Sequence, residues 1–98
     1  MKIVVFDAKP YDIEFFDKWN ETFGANITYF EEKLSLKNVM LTKYQDVVCT
    51  FVNDDLNAKV LNILAKNGVR LIAARCAGYN NIDLKAAREN RITVLRVP

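Results

Sequence analysis

The run Val47 to Val52 (VVCTFV) constrains this chain more than any other segment. It is short, apolar and β-branched, and it lacks the polar alternation of a strand with one wet face. It therefore reads as a strand buried on both sides, as in a parallel sheet covered by helices. Four other runs fit the same plan: Lys2 to Asp7 (KIVVFD), Asn26 to Phe30 (NITYF), Val69 to Cys76 and Ile92 to Val97.

Segments of helical period separate these runs. Between Tyr11 and Phe23, Phe15, Phe16, Trp19 and Phe23 recur among acids and lysine, with Gly24 placed to stop the helix. This aromatic stripe reads as core packing rather than a cofactor box. Leu36, Val39, Met40 and Tyr44 predict a second helix, capped by Ser35. Leu56, Val60, Ile63 and Leu64 mark a third that stops near Asn67-Gly68, with Asp54 and Asp55 as acidic residues at its positive end. Asp83 to Asn90 is a short fourth. Alternating strands and helices with short connections imply right-handed crossovers and an α/β fold with helices on both faces. Five strands on this plan suggest a flavodoxin-like parallel sheet of order 2-1-3-4-5.

With 98 residues there is room for one domain, and no repeat or linker divides it. The net charge of +2 comes from interspersed signs, which gives no electrostatic footprint for nucleic acid. No apolar run approaches a membrane span, and the N-terminus does not resemble a secretory signal. Cys49 and Cys76 both lie in apolar runs, which suits free thiols in a reducing, cytoplasmic setting without a disulfide. Two isolated cysteines and no histidine do not make a metal site, and a histidine-driven proton transfer cannot be completed within this chain.

In an open parallel sheet, ligands bind beyond the carboxyl ends of the strands. That rule selects residues 7–10, 51–55 and 75–81. Gly78 is the leading candidate, because a glycine after a strand permits a close backbone approach. With Ala77 it offers consecutive backbone N–H groups at the mouth of the sheet, suited to an anion. The same stretch also serves as a plain turn, with Asn81 or Asp83 capping the next helix. Asp54 and Asp55 invite a paired-carboxylate reading, but helix capping explains them more simply. Phe51 fits either a pocket wall or the core. Arg75 and Arg96 could neutralise an anion, although solvated or ion-paired surface groups are the commoner outcome. No G-x-G-x-x-G follows any strand, so a dinucleotide-binding loop is not expected here.

The stretch RCAGYNNID (residues 75–83), with FVNDD (51–55) and the closing VLRVP, resembles the N-terminal part of D-2-hydroxyacid dehydrogenases. The fermentative D-lactate enzymes are the most similar. The opening KIVVFDAKPYD and ETFG (21–24) agree, so the resemblance covers essentially the whole chain. It implies that residues 1–98 are a substrate-binding (catalytic) domain fragment, with the NAD-binding domain absent. In that family Ala77 and Gly78 match the pair whose backbone N–H groups hold the substrate carboxylate. Phe51 matches a residue lining the pocket for the substrate's side chain, and Asn80 falls where the motif shapes the loop. The family's catalytic arginine, glutamate and histidine, and its NAD loop, belong to later sequence. The resemblance thus implies an NAD-dependent parent enzyme that reduces a small 2-keto acid such as pyruvate, and a fragment inactive alone.

Two other readings compete. A stand-alone signalling receiver shares the flavodoxin-like order, and Asp7 and Asp54 match its acids in part. Its strand-five lysine, however, is replaced by Arg96-Val97-Pro98. A binding module without chemistry is the third reading, with a second copy of the chain pairing on exposed surfaces to give a homo-oligomer.

Overall fold

The computed structural model describes residues 1–75 and 81–96. Among these, five strands form one parallel sheet: β1 (Lys2–Val5), β2 (Asn26–Tyr29), β3 (Val47–Thr50), β4 (Leu71–Ala74) and β5 (Thr93–Arg96). Their spatial order is β2-β1-β3-β4-β5, the order expected from the sequence, with β3 central between β1 and β4. The helices are α1 (Pro10–Phe23), α2 (Ala58–Lys66) and α3 (Leu84–Glu89).

Strand register sorts side chains into rows that face opposite ways, because successive residues of a strand alternate sides. Val4, Val48, Ile72 and Val94 lie abreast on one side. They pack against Val60, Leu61 and Leu64 of α2 and Ala86 and Ala87 of α3. The next row is Val5, Cys49, Ala73 and Leu95, on the opposite side. There the cover is α1, through Ile13, Phe16 and Trp19. That cover thins towards the β5 edge: Cys49 is buried, Ala73 half-buried, and Leu95 is 51% exposed.

Local chemistry sets the helix ends. Pro10 occupies the first position of α1, where its missing N–H costs nothing. Gly24 ends the helix with φ +67, and its N–H bonds to Asn20 O at 2.8 Å. Asn57 caps α2 by accepting from Val60 N at 3.0 Å, and Asp83 caps α3 by accepting from Ala86 N at 3.0 Å.

Three expectations need correction. The predicted helix through Leu36, Val39, Met40 and Tyr44 is a single 3₁₀ turn, Val39–Thr42. Ser35 does not cap it. Instead Asn38 closes a loop on itself, its Oδ1 accepting from Ser35 N at 2.9 Å and its Nδ2 donating to Lys33 O at 2.9 Å. Such side-chain bonds compete with the helical ladder. Leu36, Met40 and Tyr44 are exposed, while Leu34, Val39 and Thr42 are buried.

Second, the aromatic stripe on α1 is only half core. Phe16 and Trp19 pack on the sheet, whereas Phe15 and Phe23 remain exposed. Phe15 is one residue, about 100° of helical turn, away from Phe16. Phe23 lies in the last turn and stacks on Trp19 with centroids 4.5 Å apart.

Third, neither Asp54 nor Asp55 caps α2. The helix begins later than expected, at Ala58, so the capping position falls on Asn57.

Candidate functional site at the carboxyl edge of the sheet

The chain leaves β1 through Phe6 and Asp7. Asp7 is buried and takes φ +51, a left-handed conformation that short polar side chains tolerate. Its N–H donates to Glu32 O at 2.8 Å and the next, at Ala8, to Phe30 O at 3.0 Å. The exit of β1 is thereby tied to the segment that follows β2. Lys9 Nζ meets Asp7 Oδ1 at 2.8 Å on the outside of this corner. Asp12, in the first turn of α1, accepts from Lys9 N at 2.9 Å.

Beyond β3 the chain turns at Phe51, and Asp54 holds that turn from inside. Its Oδ2 accepts from Phe51 N at 2.6 Å and its Oδ1 from Leu34 N at 2.5 Å. Burial pushes the Asp54 carboxyl up to about 6, against the downward pull of these two N–H donors. Asp55 is exposed, so the two acids do not face each other as a catalytic pair. With both oxygens occupied by backbone donors, Asp54 is also a poor phosphate acceptor, which weakens the receiver reading.

Arg75, directly after β4, is buried rather than a solvated surface group. The ion-paired alternative is realised inside the protein, because Nη1 lies 2.5 Å from Asp12 Oδ2. Its Nε donates to Thr50 O at 3.1 Å, Nη2 donates to Phe6 O, and both terminal nitrogens reach Asp7 O at 3.4 Å. The guanidinium carbon sits 5.1 Å from the centroid of the Phe51 ring. Arg96, by contrast, is exposed at the end of β5.

Asn81 reaches back to the same turn. Its Nδ2 donates to Phe51 O at 3.0 Å and to Asp54 O at 2.9 Å. Leu56 N donates to Asn81 O at 3.2 Å, and a parallel bridge pairs Leu56 with Ile82. Of the two capping candidates in this stretch, Asp83 is the cap, which leaves Asn81 to bind the two loops together.

The structure thus brings Phe51, Asp54, Arg75 and Asn81 together at the carboxyl edge. Ala77 and Gly78, expected to grip an anion, lie outside the described residues, as do Cys76 and Asn80; Arg75 and Asn81 flank them. Asp12 was not recognisable as part of this edge from sequence, since it resembles an ordinary helix-start residue, and Asn81 fell within the selected stretch but only as a candidate cap. Cys49, under the same corner, is a buried free thiol, and burial pushes it up to about 11 despite the nearby guanidinium. A thiol so held is a packing group rather than a nucleophile.

An open parallel sheet of this order is the flavodoxin-like α/β arrangement, whose ligands bind beyond the carboxyl ends of the strands. The family is shown by the match of residues 3–98 to the D-isomer specific 2-hydroxyacid dehydrogenase catalytic domain, and the chain belongs to that family. It is 53% identical, over its whole length, to 2-hydroxyacid dehydrogenase homolog 1 of Schizosaccharomyces pombe, covering 30% of that protein. The apo-structure of D-lactate dehydrogenase from Escherichia coli superposes on it with a TM-score of 0.96 at 44% identity, covering all of this chain and 31% of that one. D-lactate dehydrogenase from Lactobacillus jensenii, solved with NAD+, gives a TM-score of 0.87 at 30% identity, covering all of this chain and 30% of that one. The chain spans about 30% of the length of the curated relatives it matches.

Proposed function

We propose that residues 1–98 form the substrate-side domain of an NAD-dependent D-2-hydroxyacid dehydrogenase, acting on a small 2-keto acid such as pyruvate to give D-lactate. The observation that carries this reading is the family match over residues 3–98, combined with the side chains assembled at the carboxyl edge. In this proposal the backbone N–H groups of Ala77 and Gly78 hold the substrate carboxylate, and Phe51 walls the space for the substrate's side chain.

The exits of β1 and β3 do not suit a dinucleotide. The turn after β1 carries Asp7 and Asp12 beside the start of α1, and Pro10 removes an N–H there. The turn after β3 carries Asp54 and Asp55. Carboxylates at both places repel a pyrophosphate, and neither turn contains glycine. NAD is therefore assigned to residues outside these 98, where it would supply the hydride. The groups that polarise and protonate the substrate carbonyl are assigned there as well.

This domain's share is positioning: fixed backbone dipoles orient the acid, and an apolar wall keeps water from its side chain. A reaction of this kind suits the cytoplasm. Among the described residues no helix is long and apolar enough to cross a membrane.

The test is NADH oxidation by the full-length protein. Turnover is expected only when a 2-keto acid is added, with D-lactate as the product from pyruvate by chiral chromatography. Residues 1–98 expressed alone are expected to show none. Failure of the full-length protein to reduce any 2-keto acid, or formation of the L-product, would overturn the proposal.

A further inference from the structure

Arg75 has five N–H groups, and the contacts it makes use all five. Nε donates to Thr50 O, Nη1 to Asp12 Oδ2 and Asp7 O, and Nη2 to Phe6 O and Asp7 O. A guanidinium saturated in this way keeps no donor for a substrate anion. The guanidinium also lies over the Phe51 ring, its carbon 5.1 Å from the ring centroid.

The Phe51 backbone is fixed independently, by Asp54 Oδ2 on its N–H and by Asn81 Nδ2 on its carbonyl. Only the side-chain torsions are left to be set. A planar cation on one ring face restricts them, and the four oxygens that seat the guanidinium come from the exits of β1 and β3 and the first turn of α1. Lysine has neither the plane nor the fork to fill this seat.

We infer that Arg75, with Asp12 as its charge partner, is a positioning residue for substrate selectivity: it holds the Phe51 ring as a rigid wall against the side chain of the 2-keto acid. The inference rests on the proposed role of Phe51 in the pocket. The rigid wall favours a methyl side chain over a branched one, and a wall free to rotate gives way to the larger group.

The experiment is a double-mutant cycle in the full-length protein with NADH, reading the ratio of kcat/KM for pyruvate to that for 4-methyl-2-oxopentanoate. Each variant is assayed below its own melting temperature. Phe51→Ala is expected to move the ratio towards the branched acid by about tenfold or more, the scale on which a pocket reads a few methylenes. Arg75→Lys is expected to move it the same way by about three- to tenfold, through a higher KM for pyruvate more than a lower kcat. Asp12→Asn, which leaves the guanidinium in place, is expected to move it less.

In the Phe51→Ala background, Arg75→Lys should leave the ratio unchanged, because the wall it positions is gone. An Arg75→Lys variant that slows both substrates equally, or shifts the ratio as much without Phe51 as with it, would show that Arg75 only supports the fold. A ratio unmoved by Phe51→Ala alone would instead remove Phe51 from the pocket, and the inference with it.

Discussion

The two ends of the sheet are closed by different means. At the amino ends main-chain bonds join the strands, with Asp46 N donating to Lys2 O, Arg70 N to Asp46 O, and Thr93 N to Arg70 O, at 2.8, 3.0 and 3.0 Å, and the Asp46 and Asn20 side chains add bonds to Lys2 N and Ala25 N. Each return into the sheet passes through one residue with positive φ: Gly24 before β2, Tyr44 before β3, Gly68 before β4 and Arg91 before β5. At the carboxyl ends, side chains hold the turns: buried Arg75 joins the exits of β1 and β3 to α1, buried Asp54 holds Phe51 and Leu34, and half-buried Asn81 ties two loops together. Main-chain bonds tolerate almost any side chain, whereas a buried guanidinium or carboxylate tolerates very few. Residue identity is therefore constrained most at the carboxyl edge, the side on which open parallel sheets bind their ligands.

The largest test of this contrast is Arg75→Met. It takes the cation from the Asp12 carboxylate and the side-chain donors from the carbonyls of Phe6, Asp7 and Thr50, leaving Thr50 O only the backbone N–H of residue 75. Breaking a buried pair from one side is expected to cost about 3–5 kcal/mol, a large part of the stability of a small domain. A urea melt that shifts by less than about 1 kcal/mol would put the amino and carboxyl ends on equal terms.

The second test is pH. The folded protein keeps the Asp54 proton up to about 6, while the unfolded chain releases it near the ordinary value of 3.8. Between those values the folded state binds more protons, so the contribution of Asp54 is fully present below about 3.8 and is lost as pH rises through about 6. The loss is expected to be on the order of 3 kcal/mol. Asp54→Asn cannot titrate, so its melting temperature should fall less than that of the wild type between pH 4 and pH 7, roughly the window set by the two values. Parallel curves would mean that the two N–H donors cancel the burial penalty.

A smaller effect is expected at the amino end. Gly24 has open space around the position of a Cβ but a φ of +67, so Gly24→Ala meets backbone strain alone. A loss of about 1 kcal/mol is expected by thermal melt. The smallest effect belongs to Lys9→Ala, at the carboxyl end but on its outside. Asp7 raises the Lys9 pKa through their hydrogen bond. Only a small fall in melting temperature is expected at physiological salt, because the lysine is half in water although the Asp7 carboxylate it leaves is buried. A fall as large as that of Gly24→Ala would show that charge, and not burial, distinguishes this edge.

The sequence made much of the fold legible because strand burial and helix stops are local in their chemistry. VVCTFV was legible as a covered strand, although only Val47–Thr50 is strand and Val52 is exposed in the turn, and Gly24 and Asn67-Gly68 stop their helices where expected. The segment around Ser35 to Tyr44 was misleading, since its apolar spacing copies a helix while Asn38 draws the backbone into a loop. Phe51 was recognisable as a strand-end residue of the site, but its partners were not. Asp12 and Arg75 are 63 positions apart in the chain, and nothing in the local pattern of either announces the other.

The sequence by itself determined the strand–helix alternation, the parallel sheet it implies and the edge where a ligand belongs. Those follow from hydrophobic period and turn chemistry within about ten residues. Only the tertiary structure decided that Arg75 is buried and fully bonded, that Asp54 is a clasp rather than a helix cap, and that Asn81 joins two loops. Each depends on which carbonyl or carboxylate lies opposite, and that is fixed only when strands distant in sequence come into register.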